Sequence, residues 1–347
     1  MNTDHLVHTM RSQGKFCGGS GSPMYDALLE LMAQDVEAGG VFATILSGHE
    51  DDSARQAVPL RLLGGLHRLA LDGRAPTLRR FYPSTGGTFD AAAAWPEILL
   101  TARDRMNDLR AALDQPPQTN EVGRSAVLIG TLLFLVRQFD LPVRLFEIGT
   151  SAGLNLRADH YRYAYPGGRW GPVDSPVVID DAWRGQLPPD GAVRIVERHG
   201  YDIAPIDVTT VDGEMTVLSY VWPDQSARLQ RLRGAIAVAR TVPAQLHRLT
   251  AADAVAGMAL ADGTLTVLWH SITWQYLSDD ERAAIRDGID AVAAQAGESS
   301  PFAHLTLEPA RDADGGLKFL ARARSWPGDK LRIFGECHPH GPPVNWL

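Results

Sequence analysis

Apolar residues recur at the three- and four-residue spacing of half-buried helices through the first third of the chain. Met24, Leu28, Leu29, Met32 and Val36 follow Ser22-Pro23, an N-cap and a proline at the first helical position, and the run stops at Gly39-Gly40. Pro59 opens a second helix with Leu60, Leu63, Leu66 and Leu69 on one side and Asp72-Gly73 as its stop. A third runs from Pro96 to Leu113, and a fourth from about Glu121 to Phe139, before Leu141-Pro142. No strand pattern competes before Val143. The spacing therefore predicts a helical cap region over residues 1–125 that covers the ligand mouth of a sheet domain over 126–347.

At Val143 the pattern changes. Leu145 to Ile148 is an apolar run with one acid, Glu147; it breaks at Gly149 and resumes at helical spacing with Leu154, Leu156 and Ala158. This predicts strand, tight glycine turn and helix, the helix continuing to Tyr165. Residues 166–190, rich in Pro, Gly and Trp, read as an insertion. Val193 to Val196 and Leu265 to Trp269 read as strands, Ala227 to Arg240 as a helix, and Ser278 to Ala296 as a helix with Ser278 at its N-cap. Three strands close the chain at about His304 to Leu307, Leu317 to Arg322 and Leu331 to Glu336, the first two joined by the turn-forming run Asp312 to Gly316. The expected fold is α/β: a doubly wound, mostly parallel sheet with an antiparallel pair at its end.

The glycine turn is the expected centre of function, because such units place backbone N–H groups where open α/β sheets bind ligands. A dinucleotide site would need Gly-x-Gly-x-x-Gly and a P-loop would need Gly-Lys-Ser/Thr; neither is present. Gly149-Thr150-Ser151-Ala152-Gly153 fits the Gly-x-Ser-x-Gly nucleophile elbow formally. It also fits an S-adenosylmethionine site, which wants an acid at the strand end beside small residues: Glu147, Gly149, Ser151 and Gly153. A nucleoside site further needs an acid for the ribose hydroxyls at the end of the second strand. Asp202 stands there, with Glu197 as the competing candidate, and Asp253 is placed for an adenine amino group.

Other polar groups gather nearby in sequence. Gln118, Asn120, Glu121 and Arg124 cluster where a loop becomes a helix and, with Asn155, are candidate substrate contacts; a capped helix start is the plainer account. His270 and Tyr276 flank the mouth of the strand ending at Trp269 and, with His340, are the catalytic candidates. Cys337-His338-Pro339-His340 has no second ligand cluster at zinc-like spacing, so no metal is expected.

The bulk numbers narrow the partners. The 347 residues suffice for one large α/β domain plus an appended region, and the two cysteines, Cys17 and Cys337, suit reduced thiols in the cytoplasm. A net charge of −8 without a basic run argues against nucleic acid and tolerates a cationic ligand. Met1 to Gln13 shows no signal peptide, and Ala126 to Val136 falls short of a bilayer span, so no membrane partner is expected. Oligomeric state is not readable.

With these residues in view, the chain resembles a bacterial family of unassigned function, the domain-of-unknown-function 2332 group, along nearly its whole length. The carrying stretches are Gly21 to Tyr25, Gln118 to Arg124, Glu147 to Leu156, Val221-Trp222-Pro223-Asp224-Gln225 and His270-Ser271. From Leu145 onward it also resembles a class I S-adenosylmethionine-dependent methyltransferase. That resemblance implies a seven-stranded sheet with its last strand antiparallel, the first motif at Glu147 and Gly149 to Gly153, the ribose acid at Asp202, the adenine contact at Asp253, and His270 at the end of the fourth strand. Ser151 replaces a glycine, and the Asn/Asp-Pro-Pro-Tyr/Phe motif is missing, which leaves the acceptor open. The leading expectation is methyl transfer from S-adenosylmethionine to a small-molecule oxygen or nitrogen nucleophile, with His270 as base or orienting group. The alternatives are a serine hydrolase using Ser151 with His340 or His270, and a non-catalytic binder of the cofactor.

Overall fold

A computed structural model describes residues 3–311 and 314–347. The chain forms two compact units: residues up to Thr119 with Val211–Gln230, and Asn120–Thr210 with Arg231–Leu347.

The first unit is built from helices Asp4–Gly19, Pro23–Glu37, Val41–Ile45, Val58–Leu71, Ala91–Asp104, Met106–Leu113 and Val211–Ser219. Ser22 caps the second helix as its sequence predicts, its hydroxyl accepting from the Tyr25 amide at 3.3 Å. The expected single helix over Pro96–Leu113 is two, broken at Arg105, and the amphipathic helix Asp4–Gly19, which buries Leu6, Val7, Met10 and Cys17, has too few apolar residues to stand out in sequence. The Val221–Gln225 segment closes this unit. Asp224 accepts from the Ser22 hydroxyl (2.7 Å) and the Met24 amide (3.0 Å), while Trp222 joins the core beside Tyr25.

The second unit carries every strand among the described residues. These are β1 (Val143–Ile148), β2 (Arg162–Tyr165), β3 (Gly168–Trp170), β4 (Val178–Ile179), β5 (Trp183–Gly185), β6 (Ile195–Asp202), β7 (Gln245–Arg248), β8 (Leu265–Ser271), β9 (Phe302–Arg311), β10 (Leu317–Trp326), β11 (Lys330–His338) and β12 (Gly341–Trp346). Nine form one sheet in the order β5-β12-β11-β10-β9-β8-β1-β6-β7, and β3-β2-β4 form a small second sheet. β7, β6, β1, β8 and β9 are mutually parallel; β9 to β12 continue as an antiparallel meander. One face buries Phe146, Ile148, Leu268 and Phe302 under helices Ala251–Ala256 and Asp279–Ala293. Helix Ser125–Phe139 is buried from Ser125 to Leu133, and Gly130 on it lies so close to Trp346 that a Cβ would come within 2.2 Å of the indole. By length and composition Val122–Phe139 could cross a bilayer, but 67% of that stretch is buried inside the fold.

Several expectations change. The sheet has nine strands rather than seven: a fourth closing strand, β12, begins at Gly341, and β5, from the stretch read as an insertion, pairs with it. The turn expected over Asp312 to Gly316 lies partly outside the described residues, at Asp312 and Ala313. After Gly153 there is no α-helix to Tyr165. A 3-10 helix, Leu154–His160, kinks at Arg157 and gives way to β2. Side chains have taken the carbonyls an α-helix would use: Tyr161 Oη donates to Leu154 O (2.6 Å), Tyr163 Oη to Ala158 O (2.7 Å) and Arg198 Nη1 to Leu156 O (2.6 Å).

The Asp224 clasp gives a stability prediction. Asp224→Ala removes the acceptor for two donors and should cost roughly 2 kcal/mol in urea unfolding; a change under about 0.5 kcal/mol, the range of ordinary surface substitutions, would show that solvent replaces the clasp.

Candidate functional site

β1 lies between β6 on one side and β8 on the other, all parallel, so its C-terminal end is the position at which open α/β sheets accept ligands. The turn leaving it is strained. Gly149 (φ +67°), Ser151 (φ +52°) and Gly153 (φ +67°) all occupy the left-handed region, which Ser151 enters without a glycine's freedom. The end of β6 holds it there. The amides of Gly149 and Thr150 donate to Tyr201 O (2.9 and 3.2 Å), and the Ser151 amide donates to Asp202 Oδ2 at 2.8 Å. Asp202 Oδ1 accepts from the Ala204 amide at 2.9 Å, so one carboxylate stitches the turns after β1 and β6 together.

Glu147 braces the turn from beneath. It is 2% exposed; Thr150 Oγ1 donates to its Oε2 (2.6 Å), Trp269 Nε1 to its Oε1 (3.1 Å), and the Asn155 side chain hydrogen-bonds it as well. Burial pushes its pKa up to about 7 against these donors. The glycines answer to packing too: a Cβ on Gly149 would lie 2.5 Å from the Thr273 side chain, and one on Gly153 2.7 Å from Leu246.

The polar cluster before helix Ser125–Phe139 divides. Asn120 Oδ1 accepts from the Leu154 amide (2.9 Å), which brings it to the glycine turn. Glu121 is buried and caps the short 3-10 turn Val122–Arg124, accepting from the Gly123 amide at 3.1 Å. Arg124 donates to Pro339 O (2.9 Å) and Ser271 O (3.2 Å), tying the β11–β12 turn to the end of β8. Gln118 is buried in the first unit.

The catalytic candidates are scattered. Trp269 points to Glu147, so the alternation of β8 turns His270 to the opposite face, where it is 2% exposed. Its Nδ1 meets Glu308 Oε1 at 2.8 Å, its Nε2 meets His304 Nε2 at 3.0 Å, and its ring stacks on Trp274. With Nδ1–H donating to the carboxylate, Nε2 accepts and His304 donates; desolvation and His270 push the pKa of His304 well down. Tyr276 is 57% exposed. His340 sits at the β11–β12 turn, its amide on His338 Nδ1 (3.3 Å), its carbonyl packed against Gly123. Asp253 lies exposed in the first turn of helix Ala251–Ala256 rather than at a strand end, with Oδ2 accepting from the Thr250 hydroxyl (2.7 Å). The competing ribose acid, Glu197, lies inside β6, paired with Arg144 (2.9 Å) and His199 (3.3 Å). Among the described residues no group of three or more His, Cys, Asp or Glu is placed to hold a metal ion.

Sequence reasoning missed Glu308, His304 and Thr273. His304, Thr306 and Glu308 alternate onto one face of β9, a signal available in the sequence, but their meeting with His270 needs the β8–β9 pairing. Thr273 joins the two clusters: its amide donates to Glu308 Oε1 (2.9 Å) while its side chain covers Gly149.

Fold and site together define an open α/β protein with a strained glycine turn at the mouth of its parallel strands and carboxylates at successive strand ends. The chain belongs to the family described as "Uncharacterized protein conserved in bacteria (DUF2332)", whose model matches residues 7–346. No curated protein and no solved structure matches it.

The raised pKa of Glu147 makes stability depend on pH. The folded state holds this proton more tightly than the unfolded chain, whose carboxyl has the ordinary value of 4.5. The contribution, roughly 3 kcal/mol, is complete below the unfolded value and is lost as pH rises through about 7. Glu147→Gln, which cannot ionise, should therefore gain on the wild type in unfolding free energy across this window; a difference that stays flat would refute the assignment.

Proposed function

We propose that this protein binds S-adenosylmethionine at the mouth formed by the ends of β1, β6 and β8, and transfers its methyl group to a small-molecule oxygen or nitrogen nucleophile. The observation that carries this reading is the Asp202 carboxylate, fixed at the end of β6 against the glycine turn. Each of its oxygens accepts one backbone N–H, which leaves a lone pair on each for the two hydroxyls of a ribose. In this reading the parallel run β7-β6-β1-β8-β9 is the cofactor half of a doubly wound, methyltransferase-type sheet. Glu147 holds the turn, Asp253, in the first turn of the helix after β7, is offered to the adenine, and Asn120 and Asn155 lie beside the turn. The bound cofactor would supply an activated methyl group; the chain's own contribution is alignment of donor and acceptor in a mouth that excludes water. His270 has both ring nitrogens engaged and orients the segment after β8 through Glu308. Two free cysteines, one of them buried, suit the cytoplasm.

Ser151 favours a second reading, serine hydrolysis, because its φ of +52° in a sharp turn after a strand is what a nucleophile elbow requires. Two substitutions separate them. Asp202→Asn keeps one acceptor oxygen and should weaken S-adenosylmethionine binding about tenfold to over a hundredfold by calorimetry, whereas Ser151→Ala should change it little. Melting curves on both variants establish that they fold. Labelling of wild-type Ser151 by a fluorophosphonate, with no calorimetric response to S-adenosylmethionine, would overturn the methyl-transfer reading.

A further inference from the structure

Glu308 is used unevenly. Its Oε1 takes three donors: His270 Nδ1 (2.8 Å), the Thr273 amide (2.9 Å) and the Trp274 amide (3.3 Å). Its Oε2 is buried with no partner. An unmet buried acceptor is costly, and the anchoring task does not need it, since a glutamine would present the same Oε1 to the same three donors. The place of this oxygen matters. Thr273, held by Glu308 through its amide, lies with its side chain directly on Gly149. The preceding residue, Ile272, is a β-branched residue at φ +53°, fixed by its own amide on Leu307 O at 2.9 Å and by Glu308 on the next two amides. Such a conformation persists only where the surroundings over-determine it. Glu308 thus sits one residue from the glycine turn, in a segment whose shape it dictates, with one charged oxygen spare.

We propose that Glu308 divides its carboxylate between two tasks: Oε1 fixes the segment after β8, and Oε2 receives the α-ammonium of a nucleoside that carries an amino acid through its 5′-sulfur, bound at the glycine turn. An ammonium brings three donors and a full positive charge, which is what an orphaned carboxylate oxygen in a low-dielectric site binds best. The inference rests on the nucleoside reading of the site and adds to it the group that recognises the amino acid end of the ligand.

Two nucleosides test it by calorimetry. S-adenosylhomocysteine carries the amino acid head; 5′-methylthioadenosine keeps the nucleoside and the sulfur without it. Glu308→Gln should weaken S-adenosylhomocysteine by roughly ten- to a hundredfold and leave 5′-methylthioadenosine unchanged, which also shows that the variant folds. Hydrogen exchange over residues 272–276 should stay at the wild-type rate in Glu308→Gln and rise in Glu308→Ala. Equal weakening of both nucleosides, or of neither, overturns the ammonium assignment alone. Wild-type protein that binds neither nucleoside overturns the nucleoside reading and this inference with it.

Discussion

The bond from the Ser151 amide to Asp202 Oδ2, 2.8 Å long, is the constraint around which the site is built. A non-glycine residue in the left-handed region costs on the order of 1 kcal/mol or more, and Ser151 is flanked two residues either side by glycines in the same region. A turn of this kind keeps its shape only if its amides are taken. Three of them are, by Tyr201 O and Asp202, and Ser151 O in turn accepts from the Ile206 amide at 3.1 Å. The end of β1 is therefore specified by the end of β6. Glu147 completes the constraint from below through Thr150, so each side of the turn rests on a carboxylate at a strand end.

The opposite flank of the mouth is set by longer-range ties. β8 and β11 are three strand spacings apart in the sheet, roughly 14 Å. The turn after β11 nevertheless folds back to the end of β8, where Arg124 joins the two, with Nη1 on Ser271 O and Nε on Pro339 O. The approach is close enough that a Cβ on Gly123 would fall 2.4 Å from His340 O, and one on Gly341, at φ +96°, 2.4 Å from Gly123 O. Two backbones pass here with no room for side chains, and an arginine whose charge never titrates is well suited to satisfy the carbonyls.

What the sequence reveals follows from the range of the interactions involved. The strands β1 and β8, the glycine break and the Ser22 and Ser278 caps are local and can be read directly; Ser278 even forms the full capping box with Glu281. Asp202 could be placed at a strand end from its apolar run, although the strand reaches further than Val193 to Val196 suggests because Glu197 and His199 are tolerated at half-buried positions. The 3-10 helix after Gly153 could not be read, since its cause is three side chains, from Tyr161, Tyr163 and Arg198, arriving on its carbonyls. The same holds for Glu308 and His304. Each looks like an ordinary strand residue until pairing of β8 with β9 puts them against His270. The roles of Arg124 and Asn120 are likewise non-local, and the helix-start pattern that drew attention to them explains only Glu121.

Trp269 and His270 are consecutive on β8, so their side chains serve opposite faces of the sheet: Trp269 donates to Glu147 beneath the glycine turn, and His270 pairs with Glu308. The two networks meet again at Thr273, anchored by one and packed on the other. This convergence sets the electrostatic character of the mouth. The amides of Gly149, Thr150 and Ser151, which in a phosphate site would face the ligand, already donate within the fold, and the ionisable side chains bonded to the turn are the acids Asp202 and Glu147 and the cation Arg157, whose Nη1 is spent on Gly153 O at 2.7 Å. A phosphate would find none of these three amides free and the Asp202 carboxylate beside them. A ligand with hydroxyls and positive charge would meet acceptors, and in a chain of net charge −8 its approach would be favoured at long range as well as at contact.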